Sequence, residues 1–202
     1  MKSGERVSEV RRLWLVRHGE TTWNSKGLVQ GQRDPGLSPV GREQIARCCR
    51  TLAAVSPEAS PEALYSSDLR RALESAAPIA RALGVEVRAD PDLRERSLGD
   101  AEGLPATRLG PERSGVTAGR VVDADAAPTG GESVRQLYER VASCAARILS
   151  LHKGDIVLVC HGGVVRALCA WLDGVPPEEM AWTEVENGVP ILRRVASAWT
   201  CA

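Results

Sequence analysis

Two apolar runs in this chain end in a histidine followed by glycine. Leu13 to Val16 leads into Arg17-His18-Gly19, and Ile156 to Val159 leads into Cys160-His161-Gly162-Gly163. A neutral imidazole is a competent nucleophile near neutral pH when one ring nitrogen is held protonated and the other presents its lone pair. Arg17 beside His18, with glycines that let backbone amides approach a ligand closely, suits an anion. Either histidine alone could merely satisfy a backbone group at a strand end; the pair beside Arg17 points to one shared pocket. A zinc site is disfavoured: the histidines are His18, His152 and His161, with no short-range ligand pair. His152 reads as a helix C-terminal residue favoured by the macrodipole, without chemistry.

Elements must place those junctions together. Both apolar runs read as buried strands breaking into glycine loops. Ser38-Pro39 opens a helix through Ile45, Leu52 and Val55 that ends near Ser56-Pro57. Ala63 to Tyr65 is a short strand. Ser66-Ser67-Asp68 can cap a helix through Leu69, Leu73, Ala76 and Leu83, stopped by Gly84, after which Val85 to Arg88 is extended. Glu132 to His152 carries Val134, Leu137, Val141, Ala145, Ile148 and Leu151 at helical steps, and another helix begins near Val164. Strands alternating with helices predict an α/β fold, a three-layer α/β/α sandwich with a mostly parallel sheet, whose ligand crevice lies outside the strands' carboxyl ends. Residues 103–131, rich in Gly, Pro and Ala, form a lid or a surface loop.

Composition narrows the function classes. The 202 residues fit one domain, 1–202, with a core of ordinary size. Lys plus Arg and Asp plus Glu number 26 each, so no net field attracts nucleic acid or anionic membrane, and affinity for an anion must be local. The opening MKSGERVSEVRR is charged where a signal peptide is apolar, and the expected location is the cytoplasm. The six cysteines, Cys48, Cys49, Cys144, Cys160, Cys169 and Cys201, follow no zinc or redox spacing and read as reduced thiols. Absence of phenylalanine with abundant Ala, Arg and Gly suggests a GC-rich bacterial gene.

Leu15-Val16-Arg17-His18-Gly19-Glu20-Thr21, then Trp23-Asn24 and Gln30-Gly31, closely resembles the opening signature of the histidine phosphatase superfamily, also called phosphoglycerate mutase-like. Ser66-Ser67-Asp68-Leu69-Arg70-Arg71-Ala72, Leu93-Arg94-Glu95, Glu102-Gly103, Gly130-Gly131-Glu132-Ser133 and Val159-Cys160-His161-Gly162-Gly163 follow in the family's order, so the resemblance spans roughly residues 12–170. It implies His18 as phosphoryl acceptor and Glu95 as proton donor. Arg17, Arg71, His161, Asn24 and Gly162 become phosphate ligands, with His161 also catalytic, and Gln30 and Gly31 contact substrate. Arg70 competes with Arg71, and the motif register favours Arg71. Ala101 stands where the family often has an aromatic residue, and Cys160 where serine is common.

The resemblance implies a phosphatase acting on small phosphate esters through a phosphohistidine, without metal or organic cofactor. Small bacterial α-ribazole phosphatases, sugar phosphate phosphatases and phosphoglycerate-derivative phosphatases are similar in size. A mutase of this family carries a longer shelter between the acid and the second histidine, since excluding water spares the phosphohistidine from hydrolysis. A mutase, or a catalytically silent member that binds phospho-ligands, is the alternative. The expected partner is a small-molecule phosphate ester, with no nucleic acid and no membrane; a homodimer is allowed. Cys160 as a thiol nucleophile would need a Cys-x5-Arg loop, and that reading is set aside on the spacing to Arg166.

Overall fold

The computed structural model of the chain describes residues 10–55 and 60–196. In chain order the elements are β1 (Val10–Arg17), α1 (Pro39–Val55), β2 (Ala63–Ser66), α2 (Arg70–Leu83), β3 (Val87–Ala89), α3 (Pro111–Ser114), β4 (Val116–Thr117), β5 (Gly119–Val121), α4 (Val134–Leu151), β6 (Ile156–Cys160), α5 (Gly162–Leu172), β7 (Ala181–Trp182) and β8 (Pro190–Ala196). The main sheet runs β3-β2-β6-β1-β8, parallel except for β8, which pairs antiparallel with β1.

Strand alternation divides the core. Leu13, Leu15, Ile156, Leu158 and Cys160 face α4 and α5, while Trp14, Val16, Val157 and Val159 face α1 and α2. Helices thus cover both faces of the sheet, and β1 and β6 are apolar throughout their centres because neither face meets water. Fully burying each large aliphatic side chain contributes about 1.5–3 kcal/mol.

Most expected elements form, with corrections at their ends. Ser38 Oγ accepts from the Gly41 amide at 3.0 Å and opens α1, which ends at Val55; Ser56 and Pro57 lie outside the described residues. The cap expected from Ser66-Ser67-Asp68 does not close α2. Its first residue inside is Arg70, and the distant Asp34 carboxylate accepts from the Arg70 and Arg71 amides at 2.5 and 3.3 Å. Asp68 instead holds Arg94 through two hydrogen bonds. Gly84 does end α2, at a positive φ of 68° that a side chain would disfavour. At α4, Ser133 and Gln136 form a reciprocal capping box.

Residues 103–131 are not one structureless loop. They contain α3 and the hairpin β4–β5, and β5 pairs with β7 in a small antiparallel sheet, order β4-β5-β7. Cys48, Cys49, Cys144, Cys160 and Cys169 are unpaired, and Cys201 lies outside the described residues. Among the described residues no helix is long and apolar enough to cross a membrane.

Candidate active site

Strand register brings the two histidines together. Arg17 pairs with Cys160 at the end of the β1–β6 ladder, and the His18 amide extends it by donating to the Cys160 carbonyl at 2.9 Å. The imidazoles of His18 and His161 therefore stand side by side at the carboxyl edge, ring centres 5.1 Å apart and planes 60° apart. Asn187, in the turn before β8, donates to the His18 carbonyl at 2.7 Å and fixes this end of β1.

His18 is 3% exposed. Its Nδ1 lies 2.7 Å from the Gly19 carbonyl, an acceptor that retains the proton there and leaves Nε2 with its lone pair. Arg71 Nε donates toward Nε2 at 3.3 Å. Burial, followed by the charges of Arg71 and Arg17, holds the His18 pKa well below its ordinary value. His161 is depressed likewise, first by burial and then by Arg71, and its Nε2 meets Ser67 Oγ at 2.8 Å. Both shifts favour the neutral ring over the imidazolium.

Arg71 is 1% exposed although charged. Its terminal nitrogens donate to the carbonyls of Arg33 and Gly31 at 2.6 and 2.7 Å, so the guanidinium orientation is fixed before any ligand arrives. Arg70 points outward to Glu74 at 2.6 Å, which decides between the two arginines. Arg17 donates to the Val185 carbonyl at 2.6 Å, while its Nε, like Nδ1 of His161, is buried without a partner among the described residues. Buried donors or acceptors left open beside an imidazole that presents its lone pair fit an anion pocket.

A cavity of about 210 Å³ opens over these groups, lined among others by Arg17, His18, Gln30, Gly31, Arg71 and Glu95. Glu95 accepts from the Arg96 amide at 2.8 Å and from the Gly163 amide at 3.1 Å. Gly163 is needed there, because a Cβ would collide with the Glu95 carboxylate. Gly162 starts α5, whose positive end faces the pocket. Leu109, Ser114 and Val116 from the 103–131 segment, with Trp182 of β7, complete the roof.

Several sequence expectations change in detail. Gly19 does not present its amide to a ligand: it donates to Ser75 Oγ at 3.1 Å, and the missing side chain lets Gly41 of α1 pack close. Asn24 lies outside the cavity wall, where its Oδ1 accepts from the Thr21 amide and hydroxyl at 3.0 Å. Gln30 lines the cavity, with its Oε1 2.9 Å from Thr21 Oγ1. Gly31 contributes the carbonyl that holds Arg71. His152 closes α4 but also bonds Tyr65 Oη and Glu62, at the opposite end of the sheet.

Five residues separate Cys160 from Arg166, so spacing alone does fit a Cys-x5-Arg motif. Structure disposes of the thiol nucleophile instead: Cys160 is the last residue of β6, fully buried, and burial pushes its thiol far above its ordinary pKa. The residues after His161 form a helix rather than a phosphate-wrapping loop. Arg166, Ser67, Arg96, Trp182 and Asn187 are site residues that sequence reasoning missed. Ser67 lies in the Ser66-Ser67-Asp68 motif read as a helix cap, and Asn187-Gly188 carries the local signal of a turn before a strand.

Residues 13–199 match the histidine phosphatase superfamily (branch 1). The chain is 45% identical over 159 residues to phosphoglycerate mutase-like protein 4 of Arabidopsis thaliana, covering 76% of this chain and 67% of that protein. It is 40% identical over 166 residues to the metal-independent phosphoserine phosphatase of the same plant, covering 80% and 68%. A solved mycobacterial glucosyl-3-phosphoglycerate phosphatase in complex with VO3 superposes with a TM-score of 0.75 at 30% identity, covering 95% of this chain and all of that one (100%).

Proposed function

Because the chain belongs to the histidine phosphatase superfamily, we propose that it hydrolyses small phosphomonoesters through a phosphohistidine on His18. The observation that carries this reading is the paired state of the His18 ring: Nδ1 faces the Gly19 carbonyl, and Nε2 faces the cavity beside Arg71.

His18 Nε2 attacks phosphorus in line as the bond to the leaving oxygen breaks. Glu95 gives that oxygen its proton, so an alcohol departs rather than an alkoxide. Water then attacks the phosphohistidine, Glu95 takes the water proton, and inorganic phosphate leaves a free imidazole. Arg17, Arg71 and His161, with the start of α5 at Gly162, match the charge that develops on the equatorial oxygens. Glu95 supports the acid role by position, held at the cavity wall by two backbone amides. The relatives' names place phosphoserine and glucosyl-3-phosphoglycerate, both small polar phosphomonoesters, in sites of this family.

Phosphate release from a panel of phosphomonoesters, with a chelator present, tests the proposal in wild type and His18→Ala. Release that survives chelation and vanishes in His18→Ala is expected. Release that requires added metal, or that persists without His18, overturns it.

A further inference from the structure

Arg166 stands in the second turn of α5, four residues after Gly162, and helical side chains lean toward the N-terminus of their helix. The guanidinium therefore reaches back to the cavity mouth. Its Nη1 is 3.1 Å from the point where a Cβ on Gly162 would sit, a point that is 3.6 Å from Arg17 Nε. Two contacts fix it: Nε donates to the Thr183 carbonyl at 2.6 Å, and the Trp182 ring lies 4.8 Å from its central carbon. Among the described residues neither terminal nitrogen makes a hydrogen bond, whereas both terminal nitrogens of Arg71 are bonded to backbone carbonyls.

A preoriented cation whose free N–H groups line a cavity is a site for an anion with two oxygens in one plane. The phosphoryl seat at His18 already has Arg17, Arg71 and His161. Arg166 instead stands beside Glu95, which is bonded to Gly163 on the same helix, and Glu95 marks the side from which the alcohol leaves. Arg166 also lines a neighbouring cavity of about 320 Å³ that His18 does not line, so it stands where a part of the ester extending away from His18 can reach it. We propose that Arg166 is a specificity-determining residue that forks a carboxylate on the alcohol half of the substrate.

The ester chemistry rests on the phosphatase reading, but the carboxylate contact is tested by binding alone. 3-Phosphoglycerate and glycerol 3-phosphate differ only in carboxylate against hydroxymethyl. Each is titrated calorimetrically into His18→Ala, which forms no phosphohistidine, and into the same protein carrying Arg166→Gln or Arg166→Lys. His18→Ala is expected to prefer the carboxylate by about 10- to 100-fold. Arg166→Gln reduces that preference to about threefold or less, and Arg166→Lys retains an intermediate one because its charge lacks the fork. No preference in His18→Ala, a preference untouched by Arg166→Gln, or equal weakening of both ligands overturns the proposal. Should Arg166→Gln fail to fold, the Arg166→Lys ratio decides by the same criterion. Failure of the phosphatase reading shows itself separately, as no phosphate release from the wild type.

Discussion

Arg71 Nε lies 3.3 Å from Nε2 of His18, so the nitrogen assigned to attack phosphorus is flanked by a guanidinium that is itself clamped to the Gly31 and Arg33 carbonyls. The cation needs no reorganisation when negative charge arrives. Replacing it by methionine is expected to lower kcat/KM by about 10²–10³, the usual cost of losing one preorganised transition-state donor. Arg71→Lys recovers only part of this, since one ammonium cannot reach both carbonyls and the phosphoryl oxygens. Steady-state kinetics decide the matter: full activity in Arg71→Lys would remove the clamped fork from the account.

The Glu95 role predicts a dependence on leaving group. Glu95→Gln keeps the shape but has no acid proton to deliver, and its single oxygen can accept from only one of the Arg96 and Gly163 amides, which Glu95 holds with different oxygens. Alkyl phosphates, which leave as strong bases, are expected to lose about 10²–10⁴ in the rate of phosphohistidine formation, while p-nitrophenyl phosphate loses much less. Rapid-quench measurement of that step checks the contrast. Equal losses for the two ester types would count against proton donation.

What the sequence made legible follows the distance over which each interaction acts. The two strand-histidine junctions, α1, and the Gly84 stop of α2 were readable because caps, apolar runs and breakers are local. Asp34, 36 positions before Arg70, supplies the α2 cap from another loop, and Ser67 meets His161 from 94 positions away; neither leaves a periodic trace. The sheet β4-β5-β7 escaped because its strands are two or three residues long and β7 lies far downstream, too short for alternation to register. The roles of His18, Arg71 and Glu95 rest on ordered motifs, whereas Arg166 lies outside those motifs and enters only through the spacing to Cys160.

The neutral histidines predict a pH effect with a definite sign. Burial is the leading cause for both, and the folded pKa of each lies below its value in an unfolded chain. Below about pH 6.5 the unfolded chain takes up protons that the native site refuses, so stability falls as pH drops toward the folded pKa values. Each such histidine contributes a slope of about 1.4 kcal/mol per pH unit in that window and none well above it. ¹⁵N-histidine NMR at about pH 6 should show His18 and His161 neutral, with the proton of His18 on Nδ1. Chemical denaturation should show a steeper acid slope than in His161→Asn. Two fully protonated rings at that pH would contradict the assignment of His18 as a ready nucleophile.

Arg96 couples Glu95 to the roof. Its amide donates to Glu95 at 2.8 Å, while its buried side chain donates to the carbonyls of Glu132, Ser114 and Ala126 at 2.7, 2.6 and 3.1 Å. One guanidinium thus spans the segment whose Leu109, Ser114 and Val116 cover the cavity. Arg96→Met leaves three carbonyls without that donor, and a loss of about 2–4 kcal/mol in unfolding free energy is expected, since buried unsatisfied groups cost about 1–3 kcal/mol each and partial relaxation offsets some of it. Because the roof is attached there, hydrogen exchange should rise first across residues 114–126 and the Glu95-dependent step should slow, while the amides of β1 and β6 keep their protection. Uniform loss of protection through both sheets would make Arg96 a general stabilising residue instead of the clasp between the acid and its cover.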